Sequence, residues 1–379
     1  MRKKILPKLL IAVVVILLAA DLFISNYLVN YAIGRSGDGG DREVSLDVET
    51  PGEGVEKTIA DNRALQQTKN EEFLAEHPGE TVGITSDDGL ALNGVYYENT
   101  DSHLWVITLH GYRSDHRAGV AAAQHFYDAG YQVLSPDLRA CGDSEGDYVG
   151  MGWLDRKDVL DWVDWVTGQD TSAKIVLYGV SMGAATTMMT SGEDTPDQVC
   201  AFVEDCGYTS VWDIFSNELK LRFGLPEFPV LYSASALSSV KARYSFKEAS
   251  ALKQVASCEK PMMFIHGTAD DFIPYEMMDT LYQAKPGDNK TSLTAEGAGH
   301  GDVCVGRRLL GKCFFISRAV HVRRKSDNND VSVCADFRLY NRGFRTASGS
   351  ADPGTGRRQG GVSDGGPDRN RFPAGSLFL

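Results

Sequence analysis

The chain has 379 residues, enough for two or three domains of roughly 150 residues or for one large α/β domain with appendages. With 42% hydrophobic and 9% aromatic residues it can bury a real core, which excludes a wholly disordered chain. The 38 basic and 51 acidic side chains give a net charge of −13, a poor match to a nucleic-acid polyanion, and seven scattered cysteines are too few for a disulfide-built scaffold.

Arg2, Lys3, Lys4 and Lys8 precede an unbroken apolar run from Leu9 to Ala20; Asp21 interrupts it and Leu22-Phe23-Ile24 resumes it. The run alone suits the apolar region of a secretory signal, with Ala19 and Ala20 small enough for cleavage. Counted from Ile5 to Ile24, the segment makes a helix of about 30 Å, enough to cross a bilayer. Asp21 then falls near the far interface, with Tyr27 and Tyr31 as amphipathic anchors. Residues 1–33 are predicted to be an uncleaved signal-anchor, with secretion after cleavage as the alternative. Either way the basic cluster places the rest of the chain outside the cytoplasm.

Residues 34–79 are predicted to be a linker and a helix. Gly34 to Gly54 reads as a solvated spacer, and Ile59 to His77 as helical. After Pro78 short strands and helices alternate. Thr81 to Ile84 and Leu90 to Tyr97, joined by Asp87-Asp88-Gly89, form a predicted hairpin. Leu104 to Leu109, Gln132 to Ser135, Lys174 to Tyr178, Ala201 to Glu204 and Pro261 to Ile265 are apolar runs of the kind buried on both faces of a parallel sheet. Helices are expected at Ala118 to Ala129, Leu154 to Val166, Met182 to Ser191 and Tyr275 to Gln283. That alternation means right-handed crossovers and a mostly parallel sheet flanked by helices. Tyr208 to Val255 is too long for a simple connection and is predicted to be a small helical cap between the sixth and seventh strands.

The chemistry concentrates in Gly179-Val180-Ser181-Met182-Gly183, directly after one strand and directly before a helix. A serine hydroxyl attacks well only when a sharp turn projects it towards a base, and such a turn tolerates only small neighbours. His300, in Ala298-Gly299-His300-Gly301, follows the predicted last strand, Thr291 to Ala295. Asp270 follows the strand that ends at Ile265. The order Ser181, Asp270, His300 is that of a nucleophile, acid and base at three strand ends. Asp271 and Asp205 compete with Asp270 for the acid. His110-Gly111-Tyr112 follows another strand, so the backbone N–H groups of Tyr112 and Met182 can be aimed at one oxyanion.

These motifs resemble the α/β-hydrolase superfamily, in particular membrane-anchored or secreted bacterial hydrolases of the serine aminopeptidase and acyl-esterase type. The resemblance also rests on Pro136-Asp137-Leu138-Arg139 with Gly142-Asp143-Ser144-Glu145-Gly146, on Glu204-Asp205-Cys206-Gly207-Tyr208, and on His266-Gly267 through Asp270 to Ile273-Pro274. It covers about Thr81 to Gly301, a domain taken as 80–301. It implies hydrolysis of an ester, thioester or amide through an acyl-enzyme, without a cofactor, on a small-molecule or peptide substrate. The family spacing of the acid, four residues after the histidine of His266-Gly267, selects Asp270.

The histidines and cysteines show no metal-ligand spacing. Cys200 and Cys206 share one extended segment, about 20 Å apart at strand rise, and are not expected to pair. Asp137 and Asp143 are expected to bind nearby backbone N–H groups in a turn. Beyond Gly301 the family outline requires a last amphipathic helix, but 302–379 carries 12 Arg, 2 Lys, 7 Asp and no Glu, against 24 basic and 44 acidic residues before it. The tail reads as an out-of-frame translation, with a genuine extension as the rival. Loss of the last helix would leave His300 on a poorly supported loop, so the second reading of function is a hydrolase-like surface protein without activity.

Overall fold

The computed structural model describes residues 2–35 and 55–302, with side chains from 8–35 and 61–302. Most of the predicted spacer and all of the tail after Asp302, including its Arg-rich runs and the apolar stretches Phe314 to Ile316 and Val331 to Phe337, lie outside the described residues. The described residues belong to one compact unit.

Two helices come first, α1 (Arg2–Ile33) and α2 (Val55–Glu76). The strands β1 (Glu80–Thr85), β2 (Ala91–Tyr97), β3 (Leu104–Leu109), β4 (Gln132–Pro136), β5 (Lys174–Val180), β6 (Val199–Asp205), β7 (Met262–Gly267) and β8 (Lys290–Ala295) form one sheet in the order β1-β2-β4-β3-β5-β6-β7-β8. The pairs β1–β2 and β2–β4 are antiparallel and the rest are parallel. Between the strands run α3 (Val120–Asp128), α4 (Asp155–Gln169), α5 (Met182–Thr190), α6 (Val211–Phe223), α7 (Val230–Lys241), α8 (Ala251–Val255) and α9 (Glu276–Ala284).

The period-2 geometry of a strand explains the continuous apolar runs, because successive side chains feed opposite cores. Ile107, Leu177, Phe202 and Phe264 join one buried cluster with residues of α4, α5 and α9. Val106, Val176, Val203 and Ile265 join another, with Phe73 of α2 and Val120 and Ala123 of α3. The parallel strands therefore present their carboxyl ends at one edge, where loops meet. The cap forms between β6 and β7 as α6 and α7. Ser210 caps α6 by accepting from the Asp213 N–H, and Gly224 ends it in the left-handed region at φ 62°.

Helix α1 contains one stretch, Lys8–Ile33, long and apolar enough to cross a membrane. Its first half is bare: Leu9, Leu10, Ile11 and Ile16 are each at least 60% exposed. From Asp21 on it packs against the domain. The Ser233 hydroxyl donates to Asp21 (2.5 Å), the Ser25 hydroxyl to the Val230 carbonyl (3.2 Å), and Lys241 to Asn26 and Asn30 (2.9 and 2.6 Å). Val29 and Ile33 are fully buried.

One expectation changes here. The spacer does not begin at Gly34: Gly34 bridges to Tyr148, the Arg35 N–H donates to the Asp147 carbonyl (2.8 Å), and the Arg35 guanidinium donates to the Ser144 and Gly142 carbonyls (2.6 and 3.0 Å). That change follows from tertiary packing that a local reading of the sequence does not contain. Tyr31 stacks on Tyr27 and meets the Phe223 ring edge-on. Elsewhere helix boundaries move, most at α2, which starts four residues earlier than Ile59.

Phe202 fills the centre of the sheet and is completely buried. Phe202→Ala should cost about 3–5 kcal/mol. The expected result is a lower urea midpoint with an unchanged slope in detergent solution.

Candidate active site

Ser181 sits between β5 and α5 at φ 58° and ψ −116°, a backbone conformation that costs energy for a non-glycine residue. Tight packing holds it there. A Cβ on Gly179 would fall 2.1 Å from the Gly183 carbonyl oxygen, and one on Gly183 would fall 2.1 Å from the Leu109 carbonyl oxygen. Strand β3, strand β5 and helix α5 thus touch backbone to backbone, and only glycine fits. The Ser181 N–H donates to the Asp205 carbonyl (2.9 Å), fastening the turn to β6.

The loops after β7 and β8 bring the other groups to the same point. His300 Nε2 lies 2.9 Å from Ser181 Oγ, and His300 Nδ1 lies 2.8 Å from Asp270 Oδ2. The Asp270 side chain is fully buried. Its Oδ1 accepts the N–H groups of Phe272 and Ile273 (2.9 and 2.8 Å), while Oδ2 also lies 3.1 Å from His266 Nε2. Burial works to raise its pKa, but hydrogen bonds from His266 and His300 outweigh it and hold the carboxyl well below its usual range. Of the two competing acids, Asp271 is exposed and Asp205 accepts the Tyr178 hydroxyl (3.2 Å).

The first turn after β3 lies against the serine: a Cβ built on Gly111 would come 3.6 Å from Ser181 Cβ. His110 fixes this turn. Its ring is buried, with Nδ1 2.7 Å from the Gly111 carbonyl and Nε2 accepting the Leu138 N–H (2.9 Å). That pattern requires a neutral ring with the proton on Nδ1. Burial pushes the His110 pKa down, which keeps it neutral. Tyr112 and Arg113 are tied to α1: the Tyr112 hydroxyl donates to the Ala32 carbonyl, and Arg113 donates to the Tyr31 and Gly34 carbonyls (2.7 and 2.8 Å). Met182 opens α5 and is buried. The structure therefore places Tyr112 and Met182 on the two segments flanking Ser181.

The loop carrying His300 is braced. Ala269 donates to the Ala298 carbonyl (2.9 Å), Gly297 to the Thr268 hydroxyl (2.9 Å), and Gly299 to Asp302 Oδ2 (3.0 Å). Arg63 of α2 donates through Nε to Asp302 Oδ1 (2.9 Å). These bonds tie the loop to the domain; the last helix whose loss was expected falls outside the described residues. His110 lies in a motif the sequence made visible. Arg63, and the α1 carbonyls that hold Tyr112 and Arg113, carried no local signal.

Three side chains could present ligand atoms to one ion, Cys206, Asp270 and His300, whose donor atoms lie within 4.8 Å of one another. Asp270 and His300 already bond to each other, and burial pushes the Cys206 thiol well up, away from the thiolate a metal needs. Cys200 on β6 and Cys206 just after it are both free thiols. In the turn after β4, Asp137 Oδ2 accepts the Asp143 N–H (2.9 Å) and Oδ1 accepts the His116 N–H (2.7 Å), so Asp137 has the structural role expected.

A strand-turn-helix serine, an imidazole and a carboxylate at the carboxyl edge of a mostly parallel sheet is the layout of one large superfamily, and comparison with known proteins agrees. The chain has the α/β-hydrolase fold, and the comparisons support a hydrolase of that superfamily. Residues 96–242 match the family model described as X-Pro dipeptidyl-peptidase (S15 family). The hydrolase is 27% identical over 215 residues to the uncharacterized protein YqkD of Bacillus subtilis, covering 56% of this chain and 70% of that one. It is 26% identical over 227 residues to the human protein ABHD12B, covering 56% and 60%. The Pyrococcus furiosus esterase Pf2001 superposes with a TM-score of 0.52 at 25% identity, over 64% of this chain and 93% of the esterase. The α/β-hydrolase GrgF from Penicillium, at 17% identity and a TM-score of 0.50, shares the fold over 64% of this chain and 98% of its own.

Glu204, at the end of β6, is fully buried, and its Oε1 has no hydrogen-bond partner among the described residues. Burial pushes its carboxyl up to about 8, against the opposing charge of His266. The unfolded chain releases this proton near the ordinary glutamate value of 4.5, so between those pH values the folded hydrolase holds a proton that the unfolded chain has lost. The stability contributed by this group falls as pH rises through this window. Glu204→Gln removes the effect. Its stability relative to the parent, followed by denaturant unfolding, should rise steadily from pH 5 to pH 8, by on the order of a few kcal/mol. A difference that stays flat across that range would refute the assignment.

Proposed function

We propose that the chain is a serine hydrolase with Ser181 as nucleophile, His300 as base and then acid, and Asp270 as the group that orients the imidazole and stabilises its charged form. The hydrogen-bonded run from Ser181 Oγ through His300 to Asp270, 2.9 and 2.8 Å long, is the observation that carries this reading. The Ser181 oxygen bonds to the acyl carbon as His300 Nε2 takes its proton. The carbonyl becomes an oxyanion facing the backbone N–H groups of Tyr112 and Met182. His300 returns the proton to the leaving group as the ester, thioester or amide bond breaks. Water then adds to the acyl-enzyme, gives its proton to His300, and releases the carboxylic acid with Ser181 restored.

The reading extends to location. The exposed apolar half of α1, preceded by Arg2, Lys3, Lys4 and Lys8, supports a membrane anchor with the hydrolase domain outside the cytoplasm. The intact N-terminus should then remain in a washed membrane fraction; mature protein starting near Asp21 in the medium would end that part of the reading.

The parent chain should react with a fluorophosphonate probe and hydrolyse p-nitrophenyl acetate. Ser181→Ala should abolish labelling and lower kcat by ~10⁴-fold or more. Retained turnover in Ser181→Ala would refute the assignment. A parent chain that neither labels nor turns over would leave the inactive, hydrolase-like surface protein.

A further inference from the structure

The anchor helix does more than precede the domain; it touches both walls of the site. On one side the Tyr112 hydroxyl, on the turn beside Ser181, donates to the Ala32 carbonyl. On the other, Tyr31 meets Phe223 at the end of α6 with ring centroids 6.2 Å apart. The neighbouring Arg222 guanidinium lies 5.9 Å from the Phe272 ring, and Phe272 packs edge-on against His300 at 5.2 Å. The last turns of α1 therefore join the turn beside Ser181 to the end of α6, whose Arg222 reaches the loop after β7.

The cap elements that meet α1 also carry apolar side chains that the domain does not cover. Leu221 is 64% exposed, Phe228 73% and Val240 81%. Phe228 directly precedes the Pro229-Val230 segment on which Ser25 is bonded, and its ring touches Tyr232, next to the Ser233 that holds Asp21. Lys247 lies over the Trp212 and Tyr232 rings at 4.1 and 4.3 Å, giving an aromatic and cationic surface of the kind found at a bilayer boundary. Residues 208–255 carry six basic and four acidic side chains, although residues 1–301 carry 24 and 44. An excess of cations on one element of an acidic protein complements an anionic lipid surface.

We propose that this face of the cap rests on the bilayer beside α1 and that the site takes its substrate from that bilayer, as a long-chain acyl ester of an amphiphile. The proposal rests on Ser181 as nucleophile and on α1 as anchor. With this face in the bilayer, the ester carbonyl reaches Ser181 while its acyl chain remains in hydrocarbon, so the chain need not be transferred into water.

The full chain, reconstituted in phosphatidylcholine vesicles containing phosphatidylglycerol, tests this with two substrates: soluble p-nitrophenyl butyrate and membrane-embedded p-nitrophenyl palmitate. The parent should favour the embedded ester. In the double variant Phe228→Ser and Val240→Ser, the ratio of embedded to soluble turnover should fall by ~10-fold. Leu221→Ser should lower the same ratio on its own. Fluorophosphonate labelling in detergent verifies that each variant is folded. An unchanged ratio in both variants, or a parent that favours the soluble ester, would overturn the proposal. Failure of the premises has its own signatures: Ser181→Ala turning over both esters, or parent protein that does not float with the vesicles.

Discussion

The site depends on a steric constraint: three stretches of backbone meet at the end of β5 with no room for a side chain between them. The contacts made by Gly179 and Gly183 hold Ser181 in its costly conformation, and the surrounding sheet is what keeps it there. The same contacts fix the first turn of α5 relative to the end of β3, so the two segments flanking the serine cannot drift apart. The orientation of the hydroxyl follows from the packing of main chain, and the imidazole and carboxylate are then added by neighbouring strand ends.

Asp270 shows how the rest is held. Its two oxygens accept from Phe272, Ile273, His300 and His266, so the carboxylate has no freedom to rotate and its charge is retained. His266 meets Asp270 from within the sheet, and the Ile273 carbonyl lies 3.0 Å from the same Nε2. One acid is therefore fastened both to the core and to the imidazole. Burial alone would favour its neutral form; the surrounding donors reverse that.

Much of this was legible in the sequence because it is local. The apolar runs of β3, β5, β6 and β7 announce strands covered on both faces, and the glycines around Ser181 announce a turn with no space for Cβ atoms. The length of Tyr208 to Val255 announces a cap. What stayed hidden depends on contacts between distant segments. Nothing near Arg63 points to Asp302, and nothing in Tyr31-Ala32-Ile33-Gly34 reveals that its carbonyls would serve Tyr112 and Arg113. Gly34 looked like the start of a spacer because glycine followed by Arg, Ser and Asp is polar and flexible by composition. Its role as the end of a docked helix is set by the groove that receives it. The choice among Asp205, Asp270 and Asp271 was equally beyond composition and rested on family spacing, whereas in three dimensions burial and hydrogen bonds separate them.

The brace between Arg63 and Asp302 ties together the two ends of the domain's sequence. Helix α2 is itself seated on the sheet through Phe73, which packs with Tyr97. Its Arg63 then reaches Asp302, 239 positions later, at the foot of the loop that carries His300. The position of the imidazole therefore draws on a helix that precedes the first strand, so damage to either end of the domain is felt at its centre.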